Sequence, residues 1–484
     1  MSDNEDSAPR HSKPVRWLLH ALDELGILPV LAAPRDTKLL MLQRFIRLFA
    51  YGGSTLILAA YLHATGVSES RVGLFMTLTL AGNVCISFLL TLIADALGRR
   101  RILALGSVLM AASGVVFAIT QNYWVLLLAA ILGVITPSGN EIGPFRAVEE
   151  SVIAHLTDAP HRPSVFAWYT LIGTLGTALG LFTCGWVTTW LVERKGWEVV
   201  ETYHLVFFIY AAIGGLKLVL TLLLSGRCEA DKASPPSQRE TEGERAPLLG
   251  QPNDDQPKQQ QQQQQQKKKK PSKFAMLPKL SRESRTILFQ LCLLFALDNF
   301  ASGLAPMSWV TYYFKRRFSL AEGKIGTLFF VTSIISACSV LVAASIAKRI
   351  GNVKTMVFTH LPSSICLALV GIPSQLPLAM LLVVLRACTQ SMDAAPRSAF
   401  LAAIVLPNER TATMGTVNVV KTISQSLGPL ITGILVEREL FWVAFLAAGA
   451  LKATYDVGML IVFASHRTRE EREAEQTTEG REAR

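Results

Sequence analysis

Thr91-Leu-Ile-Ala-Asp95-Ala-Leu-Gly98-Arg99-Arg100-Arg101 closes one apolar run, 70–94, and leads into another, 102–120. Each run is long enough for a helix to cross the roughly 30 Å hydrocarbon layer of a membrane. An aspartate, a glycine and three arginines between them read as a tight polar turn at a membrane surface. A second basic turn, Lys348-Arg349-Ile350-Gly351, follows with Gly351 253 residues after Gly98. The spacing recurs outside the turns. Gly73 in Arg-Val-Gly-Leu matches Gly326 in Lys-Ile-Gly-Thr at 253, and Glu141-Ile-Gly-Pro144 matches Asp393-Ala-Ala-Pro396 at 252. Leu179-Gly180 and Gly185 match Leu427-Gly428 and Gly433 at 248. Matches in order at a slowly drifting offset describe two copies of one unit in parallel orientation.

Composition agrees with a lipid solvent. Half of the 484 residues are hydrophobic and 17% are charged, against about a quarter charged in ordinary soluble domains. Apolar runs lie near 39–63, 70–94, 102–120, 123–144, 165–192, 203–224, 287–313, 325–347, 353–372, 376–400, 412–436 and 440–464. This predicts an all-α integral membrane protein with twelve transmembrane helices in two six-helix pseudo-repeats. The domains are a cytosolic tail (1–38), a first half (39–224), a linker (225–284), a second half (285–465) and a charged tail (466–484). The first 38 residues lack the apolar core and cleavage site of a signal peptide, and 16–33 read as an interfacial helix or tether. Ser-Pro-Pro, an eight-Gln run (Gln259 to Gln266) and Lys267 to Lys270 make 225–284 a disordered cytosolic linker.

The excess of 47 Lys and Arg over 36 Asp and Glu is loop charge beside apolar runs rather than a nucleic-acid surface. An even count of spans with a cytosolic N-terminus puts both termini and both basic turns on the cytosolic side. Lys315, Arg316 and Arg317 then fall outside, against the positive-inside rule. Cys85, Cys184, Cys292, Cys338, Cys366 and Cys388 sit in apolar runs without metal-ligand spacing and read as packing residues.

On these residues the chain resembles the major facilitator superfamily across its membrane part, and its fungal members as a whole. The turn is similar to the superfamily's Gly-x-x-x-Asp-(Arg/Lys)-x-Gly-Arg-(Arg/Lys) signature, with Thr91 in place of the first Gly and Ala96 in place of the basic residue. The resemblance implies a secondary transporter working by alternating access, and assigns a gating role to Asp95, Gly98, Arg99 and Arg100. Positive-inside anchoring by the arginines stays open as the plainer reading. Gly173, Gly176, Gly180 and Gly185 partly match an antiporter-type pattern that has Pro where Leu181 stands; close helix packing explains them as well.

Charges inside apolar runs are costly and ask for partners or water. Asp298, Arg386 and Lys421 fall near mid-membrane, whereas Arg44, Arg47, Glu141 and Asp393 fall nearer the cytosolic end. Arg386, Gln390, Asp393 and Arg397 share one helix face, as do Asn418, Thr422 and Gln425 beside Lys421. Thr79, Asn83, Ser87, Thr91 and Asp95 line a third face, and Arg44, Arg47, Tyr51 and Thr55 a fourth. Four polar faces predict a shared aqueous cavity with Arg386, Lys421, Gln390, Asn418, Gln425, Asn83, Arg44 and Arg47 in its wall. Asp298 is the candidate proton-coupling group, with a static buried ion pair as the alternative. Two cations facing one carboxylate lean toward an anionic solute. Glu141 with Arg146 and Asp393 with Arg397 read either as paired gates or as solvated helix ends.

Glu244-Arg-Ala-Pro-Leu248-Leu249 matches an acidic dileucine signal, so Glu244, Leu248 and Leu249 are candidate contacts for sorting adaptors. The destinations this leaves are a vacuolar or endosomal membrane and the plasma membrane. The expected partners are a small solute, protons and the lipid bilayer. No metal cluster, nucleophile motif or phosphate-binding loop points to an enzyme or a cofactor. A non-transporting receptor or scaffold on the same fold is the alternative function.

Overall fold

A computed structural model describes residues 27–133, 135–138, 144–158, 160–229, 282–404 and 410–463. The linker beyond residue 229, the sorting motif Glu244, Leu248, Leu249 and the gate candidate Glu141 lie outside the described residues, as does the side chain of Asp95. After a short helix, Ile27–Ala32, the first half consists of α1 (Arg35–Ala64), α2 (Glu69–Leu97), α3 (Arg99–Ile119), α4 (Tyr123–Leu132), α5 (Pro144–Leu156), α6 (Arg162–Lys195) and α7 (Val199–Leu222). The second half consists of α8 (Arg282–Leu304), α9 (Met307–Phe318), α10 (Glu322–Ile350), α11 (Asn352–Leu369), α12 (Leu376–Thr389), α13 (Ala394–Ile404), α14 (Arg410–Glu437) and α15 (Phe441–Phe463).

Among the described residues ten helices are long and apolar enough to cross a membrane. The short α4, carried on past a break by α5, and the 18-residue α11 supply the other two passes. Three expected spans are interrupted. The 123–144 run is non-helical at residues 135–138, with helix described again from Pro144, and the 376–400 run breaks between Thr389 and Ala394. These two breaks are repeat equivalents, because Pro144 and Pro396 open the second segments. The third lies at Ala305-Pro306, where proline cannot donate to the helical ladder.

Packing repeats as the sequence does. In the first half α1 packs on α6 and α3 on α7; in the second, α8 packs on α14 and α11 on α15. Between halves, α2 lies against α14 and α10 against α6. Every pair has its mate six spans on, which is the pseudo-twofold arrangement of two parallel copies.

Arg35, which opens α1, and Phe463, which closes α15, lie at one end of the bundle, here the near end; the α1–α2 and α9–α10 turns lie at the far end. At the far end one hydrophobic cluster runs through both halves and includes Tyr61, Phe75, Phe117, Trp309, Tyr313 and Phe445. At the near end there are two separate clusters, one around Val152 and Tyr169 and the other around Phe295 and Tyr455. The halves are therefore welded at the far end and apart at the near end. Gly73 makes the weld possible: a Cβ there would stand 2.5 Å from the Pro429 carbonyl oxygen of α14. The glycines of α6 also permit close approach, Gly185 to α10 across the boundary and Gly176 to the Phe45 backbone of α1 within the first half.

Candidate functional site

Two adjoining chambers, of about 360 and 400 Å³, lie between the halves and share Ser138, Met307, Gln390 and Ser391. The first is walled by Arg44 of α1, Arg146 of α5, Thr170, Thr174 and Thr177 of α6, and Ser333 and Ser336 of α10. Its wall runs toward the near end through the exposed Thr170 and Arg146. The second is walled by Asp298 and Asn299 of α8, His360 of α11, Arg386 of α12, Arg397 of α13, Gln425 of α14 and Lys452 of α15. The break in the tenth span turns Gln390 and Ser391 into both chambers, where Ser391 bonds Ser336 at 2.5 Å and Gln390 Nε2 donates to Ser336 at 3.4 Å.

Asp298 is the centre of the second chamber. It is only 3% exposed. One carboxylate oxygen accepts from Lys452 Nζ at 2.6 Å, and the other pairs with Arg397 at 3.4 Å. Arg397 also pairs with Asp393 one turn back and lies over the rings of Phe295 and Tyr455. A carboxylate shared by two cations is pinned in place. Beside it His360 Nδ1 stands 2.9 Å from Asp456 Oδ1, and the Ser364 hydroxyl donates to Asp456 Oδ2 at 3.1 Å.

The predicted residues divide. Asp298, Arg386, Arg397, Gln390 and Gln425 come together in the second chamber, and Arg44 and Arg146 line the first. Lys421 lies beside this site, 5.4 Å over the Phe295 ring. Asp393 is buried against Arg397, whereas Arg146 pairs with Glu150 at an exposed position. Asn418 is exposed and Asn83 fully buried, and neither lines the chambers.

Arg47 does not reach the cavity either. It is fully buried in a bidentate pair with Glu149, at 2.5 and 2.8 Å, with the Tyr169 hydroxyl donating to the same carboxylate at 2.6 Å. A guanidinium fork matches a carboxylate edge, so the pair formed in preference to a solvated position. Arg44 stacks on Tyr169, 3.9 Å from the ring centroid, and keeps the place in the wall.

The arginine turn is organised by a residue the sequence reading passed over. Gly98 has φ +95°, a left-handed value that favours glycine. The Glu229 carboxylate then accepts from the backbone N–H of Arg99 at 2.7 Å and of Arg100 at 3.3 Å, capping α3, while Arg100 donates to the Leu222 carbonyl. Lys452, His360, Asp456 and Glu149 were also not singled out. For the first three the signal was present: Lys452 and Asp456, like His360 and Ser364, are polar pairs four apart within apolar runs.

Comparison with known proteins decides the family. A sequence model described as the Major Facilitator Superfamily matches residues 40–307 and 287–483. The chain belongs to this superfamily. Among superfamily-like relatives it is 36% identical over 442 residues to the "Uncharacterized membrane protein YJR124C" of Saccharomyces cerevisiae, covering 89% of this chain and 94% of that protein. The superfamily fold is shared with a bacterial homologue of the human lysosomal transporter Spinster, in an inward-facing unoccupied conformation. That match has a TM-score of 0.59 at 16% identity and covers 94% of this chain and 96% of the homologue. It is shared too with the inward-open xylose transporter XylE from E. coli, with a TM-score of 0.61 at 15% identity over 90% and 98% of the two chains.

Proposed function

We propose that this superfamily member is a proton-coupled secondary transporter that moves a small organic solute or anion by alternating access. The observation that carries the reading is Asp298, a buried carboxylate in the wall of a chamber between the halves, shared by Lys452 and Arg397 from two other helices. A proton on Asp298 would cancel its charge and release both cations, so the three helices would lose a common tether. Protonation then biases the equilibrium between the two access states. A solute enters when the near end is open and leaves when the far end is.

Cytosolic termini agree with the basic turns at the near end, and the arrangement described above is then inward-open. The basic residues at the far end have a local reason to be there: Lys315 pairs with Glu322, and Arg316 with Glu69 and Glu439. At the near end Asp95, Gly98, Arg99 and Arg100, with Glu141, Arg146, Asp393 and Arg397, form the closing surfaces of the other state. Glu244, Leu248 and Leu249 are the candidate contacts for sorting adaptors, and the destinations they leave are the plasma membrane and a vacuolar or endosomal membrane.

The test is solute-screened flux in proteoliposomes with and without an imposed pH gradient, comparing the parent with Asp298→Asn. Gradient-driven flux that the substitution uncouples supports the reading. Flux indifferent to the gradient, or coupled equally in the variant, contradicts it.

A further inference from the structure

The charges of the second chamber do not cancel. Arg386, Arg397, Lys421 and Lys452 gather in or beside it, against the carboxylates Asp298, Asp393 and Asp456. Each carboxylate is already engaged: Asp298 with Lys452 and Arg397, Asp393 with Arg397, and Asp456 with His360 and Ser364. Lys421 rests on the Phe295 ring, whose face attracts a cation. Arg386 has no such arrangement. It lines the chamber, and its guanidinium makes no hydrogen bond or ion pair with any described residue.

A guanidinium at this depth is costly unless an anion or water meets it. A neutral solute would displace water from it and return no charge, and a cationic solute would add repulsion to four positive groups. A carboxylate matches the planar fork with two parallel charge-assisted hydrogen bonds. Gln390, one helical turn on from Arg386 in the same wall, can meet a hydroxyl or carbonyl beside that group. The chamber, about 400 Å³, is of the size that small organic ligands occupy.

From this surplus we infer that the solute is an organic monoanion whose carboxylate binds to Arg386. The inference rests on the transport reading for its purpose, but its test needs no flux. The full chain is purified in detergent, and its thermal unfolding midpoint is followed at constant ionic strength against acetate, lactate and benzoate, each beside its neutral amide.

At least one carboxylate raises the midpoint saturably where its amide does not. Arg386→Gln weakens that response about 10- to 100-fold, the range expected for a lost charged hydrogen bond. Arg386→Lys, which keeps the charge without the fork, falls between and serves if the Gln variant does not fold. Amides as effective as carboxylates, no carboxylate effect on the parent, or an undiminished response in the variants overturns the inference. Carboxylate binding without flux in vesicles leaves the site standing and removes the transport reading; flux of a neutral solute unaffected by Arg386→Gln does the reverse.

Discussion

Arg316, near the end of α9, reaches Glu69, at the start of α2, across the boundary between the halves at 2.6 Å, and its other nitrogen holds Glu439 at the same distance. The Tyr312 hydroxyl donates to Glu69 as well, at 3.3 Å. The repeat supplies a second such junction: Glu322, 253 residues after Glu69, accepts from Tyr203 of the first half at 2.7 Å and from Lys315. Two equivalent glutamates thus fasten the far end. The pairs are partly exposed, 31% for Arg316 and 14% for Glu69, so each contributes below about 1 kcal/mol. Arg316→Gln is expected to raise the far-open population about two- to fivefold with little change in melting temperature. Maleimide labelling of a far-side chamber cysteine would read this, and an unchanged labelling rate would remove the gate role.

Steric closure should matter more than charge. Gly73 lies against the Pro429 carbonyl and its equivalent Gly326 against the Leu181 carbonyl, so each interface between halves depends on close backbone approaches, made from the other side by Gly433 and Gly185. Gly73→Val and Gly326→Val should each destabilise the far-closed state by about 1–3 kcal/mol, the range for overpacking. Because the positions are equivalent, the two variants should shift the state in the same direction. Spin-label distances across the far end would check this; opposite shifts would contradict the pseudo-twofold account.

The first half carries a charged pair that the chamber does not use. Glu149→Leu leaves Arg47 buried without its carboxylate, at a cost of about 3–5 kcal/mol in detergent unfolding. Arg47→Met combined with Glu149→Leu should regain more than half of that loss, since an apolar pair of similar volume often replaces a buried ion pair without penalty. If the double variant is no better than the single, the pair does more than pack.

Glu229 caps α3 from outside the helix. Glu229→Ala should cost about 0.5–2 kcal/mol, the usual range for a lost N-cap. Hydrogen exchange at the Arg99 and Arg100 amides should accelerate while exchange at the far end stays unchanged. Uniform acceleration through the first half would assign the residue a wider structural role.

The architecture was legible because hydrophobic length and a repeated offset need no tertiary information. Asp298, Arg386 and Gln390 were legible for a similar reason: a charge or amide in an apolar run is visible along one helix. Partnership was not. Lys452 meets Asp298 across 154 residues, and Arg47 meets Glu149 across 102, so only the folded arrangement shows that one pair lines a cavity and the other is sealed. Arg44 and Arg47 of α1 looked alike in sequence. Arg44 stacks on Tyr169 and lines the first chamber, whereas Arg47, three residues on, turns into the buried Glu149. The break in the tenth span was hidden for another reason: 376–400 reads as one run of spanning length without a glycine, and the loss of helix at Gln390 to Asp393 shows only in the fold, where Ser391 meets Ser336 and Asp393 meets Arg397.

Alternating access is tested most directly at Ser391, which faces both chambers. In a cysteine-free background, Ser391→Cys is reconstituted in vesicles of defined orientation and exposed to a membrane-impermeant maleimide from each side in turn. Labelling from the near side in the parent, moving to the far side when Gly73→Val is added, is the predicted result. Labelling from the same side in both, or from both sides at once, would contradict a single cavity opened alternately by the two halves.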